Sequence, residues 1–179
     1  MVLLRLNKHL IPDPLSMKML IGTICLFFYF STAGAAMAGE KTVIGETAWI
    51  QVAQLPFAFL ARIDTGARTT SIHAVDIQIS DANAVAHENI GKTISFKTAN
   101  RDGKFQTLTT DIVQVSTIRN SQGTEQRYVI ELPLSYEHKQ KKVLVNLRDR
   151  SRMKYKLLIG RNWLAGDFLV DVDLKAEKQ

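Results

Sequence analysis

Cysteine is nearly absent from the sequence, and its scarcity excludes several kinds of functional site. The only cysteine among the 179 residues is Cys25, in an apolar segment near the amino terminus that we interpret as a leader. The chain after the leader therefore has no thiol for catalysis, for a disulfide or for binding a metal. With 46% hydrophobic and 22% charged residues, the composition is that of a globular chain, and the length suits one domain.

Sequence motifs for zinc and for nucleotides are also missing. No His-Glu-x-x-His sequence is present, and His73, His87 and His138 have no local ligand spacing. No glycine-rich loop is followed by Lys and then Ser or Thr, as phosphate-binding loops require. We therefore expect neither a metal nor a nucleotide cofactor. His73 lies on a predicted strand, and we interpret it as a hydrogen-bonded structural histidine rather than a ligand.

Residues 1–38 are predicted to be a signal peptide. Lys18 precedes about a dozen apolar residues, and small residues follow up to Ala38, after which we expect cleavage. A membrane-spanning helix usually needs about 20 apolar residues, although an uncleaved anchor stays open as the alternative. Met17 is a candidate for the true start. We expect a periplasmic or secreted protein that touches a membrane only if the leader is retained.

The predicted domain, residues 39–179, carries a modest basic excess. It contains 20 basic and 16 acidic residues, a net charge of +4. Nucleic-acid-binding domains usually cluster Lys and Arg on one face, so we expect no nucleic acid and only a weak preference for acidic partners. The basic run at residues 148–154 is either a solvated face or a feature that steers acidic substrates.

Short β-rich segments separated by turn signals predict an all-β fold. The predicted strands cover residues 43–52, 57–63, 71–79, 93–97, 105–118, 126–134, 141–147 and 157–159. Gly-containing turns at 100–103 and 120–123 predict two hairpins. One short helix is expected at 162–166. The alternation of apolar and acidic residues at 168–174 predicts a closing edge strand.

Asp64 is the candidate for chemistry. It follows the apolar residues 57–60 and Ile63, so a carboxylate is expected where a buried strand turns into a loop. Burial disfavours the charged form of an acid, and two adjoining carboxylates share one proton, so such a pair can activate water and polarise a carbonyl. We expect the Thr65 hydroxyl to brace the loop, and Gly66 to allow close approach of the backbone.

An Asp-Thr-Gly sequence alone usually forms a turn, but here a second element accompanies it. About 95 residues after Asp64, the chain has Leu158, Ile159 and Gly160. Together the two elements resemble the retropepsin pattern. Residues 64–74 and 149–161 also resemble a bacterial and archaeal subfamily of retropepsin-like aspartic peptidases, historically labelled ATP-dependent zinc proteases and associated with ATP-grasp ligases of the ribosomal-modification type.

The resemblance covers residues 43–174. It implies a closed-barrel acid-protease fold with one short C-terminal helix, and an aspartic endopeptidase or amide hydrolase that acts on a peptide or protein. Since the chain has one such motif, the resemblance implies a homodimer with an Asp64 from each subunit. The catalytic residues would be Asp64, Thr65 and Gly66, and the catalytic loop would be supported by Ile159, Gly160 and Arg161. The alternatives are a non-catalytic peptide-binding or scaffold module and, less favoured, a zinc-dependent protease.

Arg68 stands where retropepsins commonly have an acidic residue, and this removes the usual partner of Arg161. One hypothesis is that Arg68 favours acidic, Glu-rich peptides through charge-assisted bidentate bonds. The alternative is that Arg68 pairs with a surface acid such as Asp76 or Asp149.

A polar hairpin tip at residues 118–125 is the candidate flap, which would close over an extended peptide and exclude water. An ordinary surface turn is the alternative. The predicted substrate-binding residues are Ala67, Arg68, Ser121, Gln122 and Gly123.

Overall fold

The computed structural model of the chain describes residues 40–120 and 123–176. The predicted signal peptide, and Ser121 and Gln122 of the candidate flap, lie outside the described residues. Within those ranges, no helix is both long enough and apolar enough to cross a membrane.

The described chain is built mainly from strands. They are β1 Thr42–Ile44, β2 Thr47–Val52, β3 Ala58–Ile63, β4 Thr70–His73, β5 Val75–Ile79, β6 Thr93–Ala99, β7 Phe105–Asp111, β8 Gln114–Asn120, β9 Gly123–Tyr136, β10 Lys139–Arg148, β11 Leu157–Ile159 and β12 Phe168–Val170. One short helix, α1, covers Arg161–Leu164, and a 3-10 turn covers Ala86–Asn89. The prediction of a mostly β fold with one short helix is confirmed.

The largest sheet places the strand that precedes Asp64 next to the strand that precedes Gly160. Its strand order is β10, β4, β11, β3, β2, β9 and β8, and β9 also pairs with β10, so six strands form a ring of pairings. Strand β11 runs parallel to β3 and antiparallel to β4. The strands β5, β6 and β7 form a second sheet, and β1 and β12 form a third.

Alternation along the strands fills the core. In β2 and β3, every second side chain is buried, as expected for strands with one face toward an apolar interior. Trp163 of α1 is fully buried and stacks on Phe168, with ring centroids 4.3 Å apart. Each such buried large side chain contributes about 1.5–3 kcal/mol. This packing attaches the helix that follows β11 to the rest of the core.

Three predicted strands are each divided in the structure. The predicted strand 71–79 breaks at Ala74, because β4 belongs to the large sheet and β5 to the three-stranded sheet. Residues 105–118 divide in the same way into β7 and β8. Residues 43–52 break at Gly45, where a Cβ would lie 2.4 Å from the Leu174 carbonyl oxygen. A continuous β-forming pattern does not show where a chain leaves one sheet for another.

Two element boundaries near the carboxyl end also differ from the prediction. The helix begins at Arg161 and ends at Leu164, rather than covering residues 162–166. The closing strand ends at Val170 rather than at Leu174. Beyond it, Leu174 still contacts the fold, since its carbonyl accepts a hydrogen bond from the Glu46 N–H at 2.9 Å.

Candidate functional site

Asp64 directly follows β3, at the point where β3 pairs with β11. The backbone N–H of Asp64 donates to the Ile159 carbonyl at 2.9 Å. Its Oδ1 accepts hydrogen bonds from the N–H groups of Gly66 at 2.9 Å and Ala67 at 3.1 Å. The expected burial of this carboxylate is wrong: Asp64 is only half-buried, because its loop borders an open cleft. Its Oδ2 has no hydrogen-bond partner among the residues described.

Arg161 holds the Asp64 loop in place by donating hydrogen bonds to the backbone carbonyl groups of that loop. The Arg161 side chain donates to the carbonyl oxygens of Thr65 at 2.9 Å and Gly66 at 3.2 Å. Its backbone N–H donates to the Ala67 carbonyl at 2.8 Å. Arg161 therefore has partners without an acidic residue at position 68.

The hydroxyl that braces the site belongs to Thr70, whereas we had expected Thr65. Thr70 Oγ1 accepts the Gly160 N–H at 3.1 Å and donates to Asn162 Oδ1 at 2.9 Å. Thr65 is exposed, and its hydroxyl makes no hydrogen bond within the described parts of the chain. Gly160 must lack a side chain, because a Cβ there would lie 2.6 Å from the carbonyl carbon of Thr69. The two predicted motifs are thus joined by backbone contact and by Thr70.

Beside this loop lies a groove of about 540 Å³, which we call the arginine groove. The strand β8 contributes residues 114–118 to its wall. Four arginines also line the groove: Arg68, Arg127, Arg148 and Arg150. The sequence points to Arg68 and to the basic run that includes Arg148 and Arg150, but it gives no sign of Arg127. A single arginine in a polar stretch of a predicted strand gives no sign that it is buried.

Arg68 is exposed and has no ion-pair partner among residues 40–120 and 123–176. The acids proposed as its alternative partners have other contacts. Asp76 pairs with Lys97 at 2.9 Å, and Asp149 lies 3.8 Å from His73. The guanidinium of Arg68 is therefore available at the edge of the arginine groove.

Arg150 is almost fully buried and sits close to other cations. Burial, together with the neighbouring Arg148 and Arg127, lowers its pKa to about 10, whereas Asp64 acts to raise it. Its Nε donates to the Tyr155 carbonyl at 2.9 Å, which fixes the side chain. The mutual effect of these arginines means that the groove has a positive potential, with Asp64 as the nearby negative charge.

His73 supports the segment that carries Arg150. Its Nδ1 accepts the Arg150 backbone N–H at 3.0 Å, so this nitrogen carries no proton. Burial lowers the pKa of His73, Lys156 and Arg150 lower it further, and Asp149 opposes them. This agrees with the interpretation of His73 as a hydrogen-bonded structural histidine.

In the described chain, no three side chains of His, Cys, Asp or Glu lie together as a metal ion would require.

The candidate flap is the hairpin of β8 and β9. Their pairing runs from Gln114 opposite Val129 to Asn120 opposite Gly123. Gly123 has φ of +128°, a conformation that favours glycine. Since the two tip residues are outside the described ranges, the hairpin contributes the inner part of β8 to the site rather than a located tip.

A comparison with solved structures shows the same fold elsewhere. The chain is similar to a crystal structure of a protein of unknown function from Legionella pneumophila subsp. pneumophila str. Philadelphia 1. The TM-score is 0.63 at 24% sequence identity, over 76% of this chain and 98% of that chain. At this level of identity, the likeness concerns the fold alone.

Curated relatives share about the same region. The chain is 31% identical over 140 residues to a probable alpha-L-glutamate ligase of Desulfotalea psychrophila, and 31% identical over 141 residues to one of Shewanella pealeana. Each match covers 75% of this chain and 29% of the relative. The chain therefore spans less than a third of the length of these relatives.

The relatives' names overturn the predicted function. From the sequence we expected an aspartic endopeptidase or amide hydrolase, that is, a hydrolase and protease. Four curated relatives at about 30% identity are instead named probable alpha-L-glutamate ligases, so this prediction is wrong. An acidic residue in the right loop indicates the fold, but it does not specify which reaction the protein serves.

Family membership, unlike the reaction, agrees with the sequence analysis. The model of the RimB-like family, described as retropepsin-like aspartic endopeptidase RimB, matches residues 43–178. This match includes every described strand from β2 to β12 and both parts of the Asp64 site. Both this description and the name of the curated relatives denote enzymes. On this match, the chain belongs to the RimB-like, retropepsin-like family.

Proposed function

We propose that the chain takes part in α-L-glutamate ligation, and that its arginine groove binds the glutamate-rich peptide that such a reaction extends. The observation that carries this proposal is the set of four arginines around one groove, in a chain whose curated relatives are named for glutamate ligation. A chain of α-linked glutamates carries one negative charge per residue. The groove offers the opposite charge.

The geometry suits an extended acidic peptide. Successive side chains of an extended chain point to opposite faces, so side chains on one face recur about every 6.8 Å. We expect Arg68 at the edge and Arg148 within the groove to meet different carboxylates of one peptide. Arginine binds carboxylates through two parallel hydrogen bonds, which lysine cannot do.

In this proposal, Asp64 binds a hydrogen-bond donor or a positive group of the ligand, whereas the arginines bind its carboxylates. Its Oδ1 is already bonded to backbone N–H groups, and its Oδ2 is free to accept a hydrogen bond from a peptide N–H or an ammonium group. It is near enough to the groove to raise the pKa of Arg150. Asp64 would then orient the main chain or the amino group of a ligand whose carboxylates the arginines hold.

The experiment is a calorimetric comparison of penta-α-L-glutamate with penta-L-glutamine, its uncharged counterpart. We expect only the glutamate peptide to bind well, and its affinity to fall as salt rises from about 50 to about 300 mM, because salt screens the charges. Arg68→Gln should weaken binding by only about fivefold, because the charge of an exposed side chain such as Arg68 contributes little. The control Arg101→Gln changes the same charge at the β6–β7 turn, where Arg101 lies beside Asp102. Equal binding of both peptides would refute the proposal.

We also propose that the chain forms a homodimer through the sheet of β1 and β12. Its surroundings expose several large apolar side chains: Val43 at 48%, Leu169 at 55%, Val172 at 71% and Leu174 at 47%. Val172 also lines the cleft that borders Asp64. Covering such a patch with a second copy would remove apolar surface from water.

A further inference from the structure

Two buried polar atoms at the arginine groove have no hydrogen-bond partner among the described residues. They are Ser71 Oγ and Arg127 Nε. Ser71 is 4% exposed and Arg127 is 8% exposed, and both line the groove. Buried polar groups are nearly always paired, because an unpaired one loses its bonds to water without replacement. Their position at one groove indicates that a ligand supplies the missing bonds.

The surrounding contacts fix these two groups in place. Asn146 stands opposite Ser71 in the pairing of β10 with β4. Its Nδ2 donates to the Thr70 carbonyl at 2.8 Å, so its Oδ1 is the atom that accepts the Arg127 side chain at 3.3 Å. The guanidinium is therefore held before a ligand arrives, which reduces the cost of binding.

Glu125 occupies another part of the same guanidinium. Its Oε2 accepts a hydrogen bond from Arg127 at 2.5 Å, and its side chain is 45% exposed. The two residues lie two positions apart on β9, so their side chains share one face. This contact uses one terminal nitrogen of Arg127 and leaves Nε without a partner.

We propose that Arg127 and Ser71 form a buried subsite for a carboxylate of the bound peptide, and that Glu125 is an internal competitor which occupies Arg127 until the peptide displaces it. A bidentate carboxylate bonds to Nε together with a terminal nitrogen, so the arriving group takes the nitrogen that Glu125 holds. The arriving carboxylate also accepts a hydrogen bond from the Ser71 hydroxyl. This inference rests on the proposed binding of acidic peptides and deepens it.

The displacement predicts an effect opposite to that of an ordinary structural ion pair. Glu125→Gln removes the competing charge, so it should tighten the binding of penta-α-L-glutamate about fivefold. The matched control is Glu131→Gln, also on β9, whose carboxylate pairs with Lys142 at 2.6 Å. This control removes the same charge away from Arg127, and we expect it to change the affinity less than twofold.

A second variant tests the subsite without removing a buried charge. Ser71→Ala deletes a hydroxyl that has no partner in the described chain, so the melting temperature should stay the same or rise. Binding of penta-α-L-glutamate should nevertheless weaken by about three- to tenfold, the usual effect of one lost hydrogen bond. A residue with a purely structural role would not produce this combination.

The outcomes separate the two proposals. If the wild type does not prefer penta-α-L-glutamate to penta-L-glutamine, the proposed function fails. If it does, but Glu125→Gln behaves like Glu131→Gln and Ser71→Ala binds like the wild type, the subsite is wrong and the function stands. Inorganic phosphate is the third probe: displacement of the peptide by phosphate at equal concentration would overturn the assignment to a carboxylate, and much weaker displacement would support it.

Discussion

Asn162 joins the two halves of the Asp64 site, and its removal is the most direct test of the geometry. Its Oδ1 accepts hydrogen bonds from the backbone N–H and the hydroxyl of Thr70, both at 2.9 Å. Its Nδ2 donates to the Leu144 carbonyl at 2.7 Å. Asn162→Ala removes all three bonds. The two bonds to Thr70 are partly buried and contribute about 1 to 1.5 kcal/mol each, and the more exposed third about 0.5, for a total of about 3 kcal/mol.

Urea unfolding followed by circular dichroism measures this loss, and calorimetry should show a melting temperature about 10 °C lower. Asn162→Asp separates the contributions, because it keeps the acceptor for Thr70 and loses the donor to Leu144. We expect a loss of about 0.5 kcal/mol, the contribution of the bond to Leu144. An Ala variant that unfolds within about 0.5 kcal/mol of the wild type would refute the bonding described here.

Three further predictions concern close packing, protonation and assembly. Gly160→Ala should lose about 3 kcal/mol or more in urea unfolding, since its Cβ would lie 2.6 Å from a backbone carbon, whereas in Gly66→Ala the nearest atom is 3.2 Å away and the loss should be smaller. Because burial lowers the pKa of His73 below 6.5, the unfolded chain takes up this proton at higher pH than the folded chain. The stability that neutral His73 contributes is thus present above pH 6.5 and is lost as the pH falls, by at most about 1.4 kcal/mol per pH unit. His73→Gln should reduce the decrease in the free energy of unfolding between pH 7.5 and 5.5. If that decrease is unchanged, His73 is not its cause. Val172→Asp should shift the dimer to monomer in sedimentation, while Phe105→Asp, at a side chain 70% exposed on β7, should not; equal behaviour of both variants would argue against the proposed interface.

The position of the site could be predicted from local signals. The apolar residues before Asp64 and before Gly160 predicted two short strands, and the resemblance to retropepsins implied that these strands meet. The pairing of Ile63 with Ile159 agrees with this expectation. These signals are strong because each depends on residues close together in the chain.

The arginine groove could not be predicted in the same way. Ser71 and Arg127 are 56 positions apart, and they reach one groove only because β4, β10 and β9 are neighbours in the sheet. The sequence predicts an ordinary strand position for Ser71 and a solvent-facing position for Arg127. Their burial depends on which strands pair, and pairing is not visible in a single sequence.

The reaction could not be predicted from the motif either. Asp64 with its loop is a property of the fold, and the expectation of peptide-bond cleavage came from the chemistry of paired carboxylates together with the resemblance to retropepsins. The curated relatives retain about 30% identity over the matched region and are named for a different reaction. The proposal for the ligand therefore rests on the four arginines of the groove rather than on the Asp64 motif.

The parallel pairing of β3 with β11 also determines when the protein can acquire its site during synthesis. Thr70 and Asn162 are 92 positions apart, and the hydrogen bonds between them support the Asp64 loop. Contacts this distant along the chain form late, because closing the intervening loop costs entropy. A nascent chain that has emerged only as far as β10 presents Asp64 without α1 and without Gly160. The Asp64 loop therefore lacks these supporting hydrogen bonds until Asn162 has emerged from the ribosome.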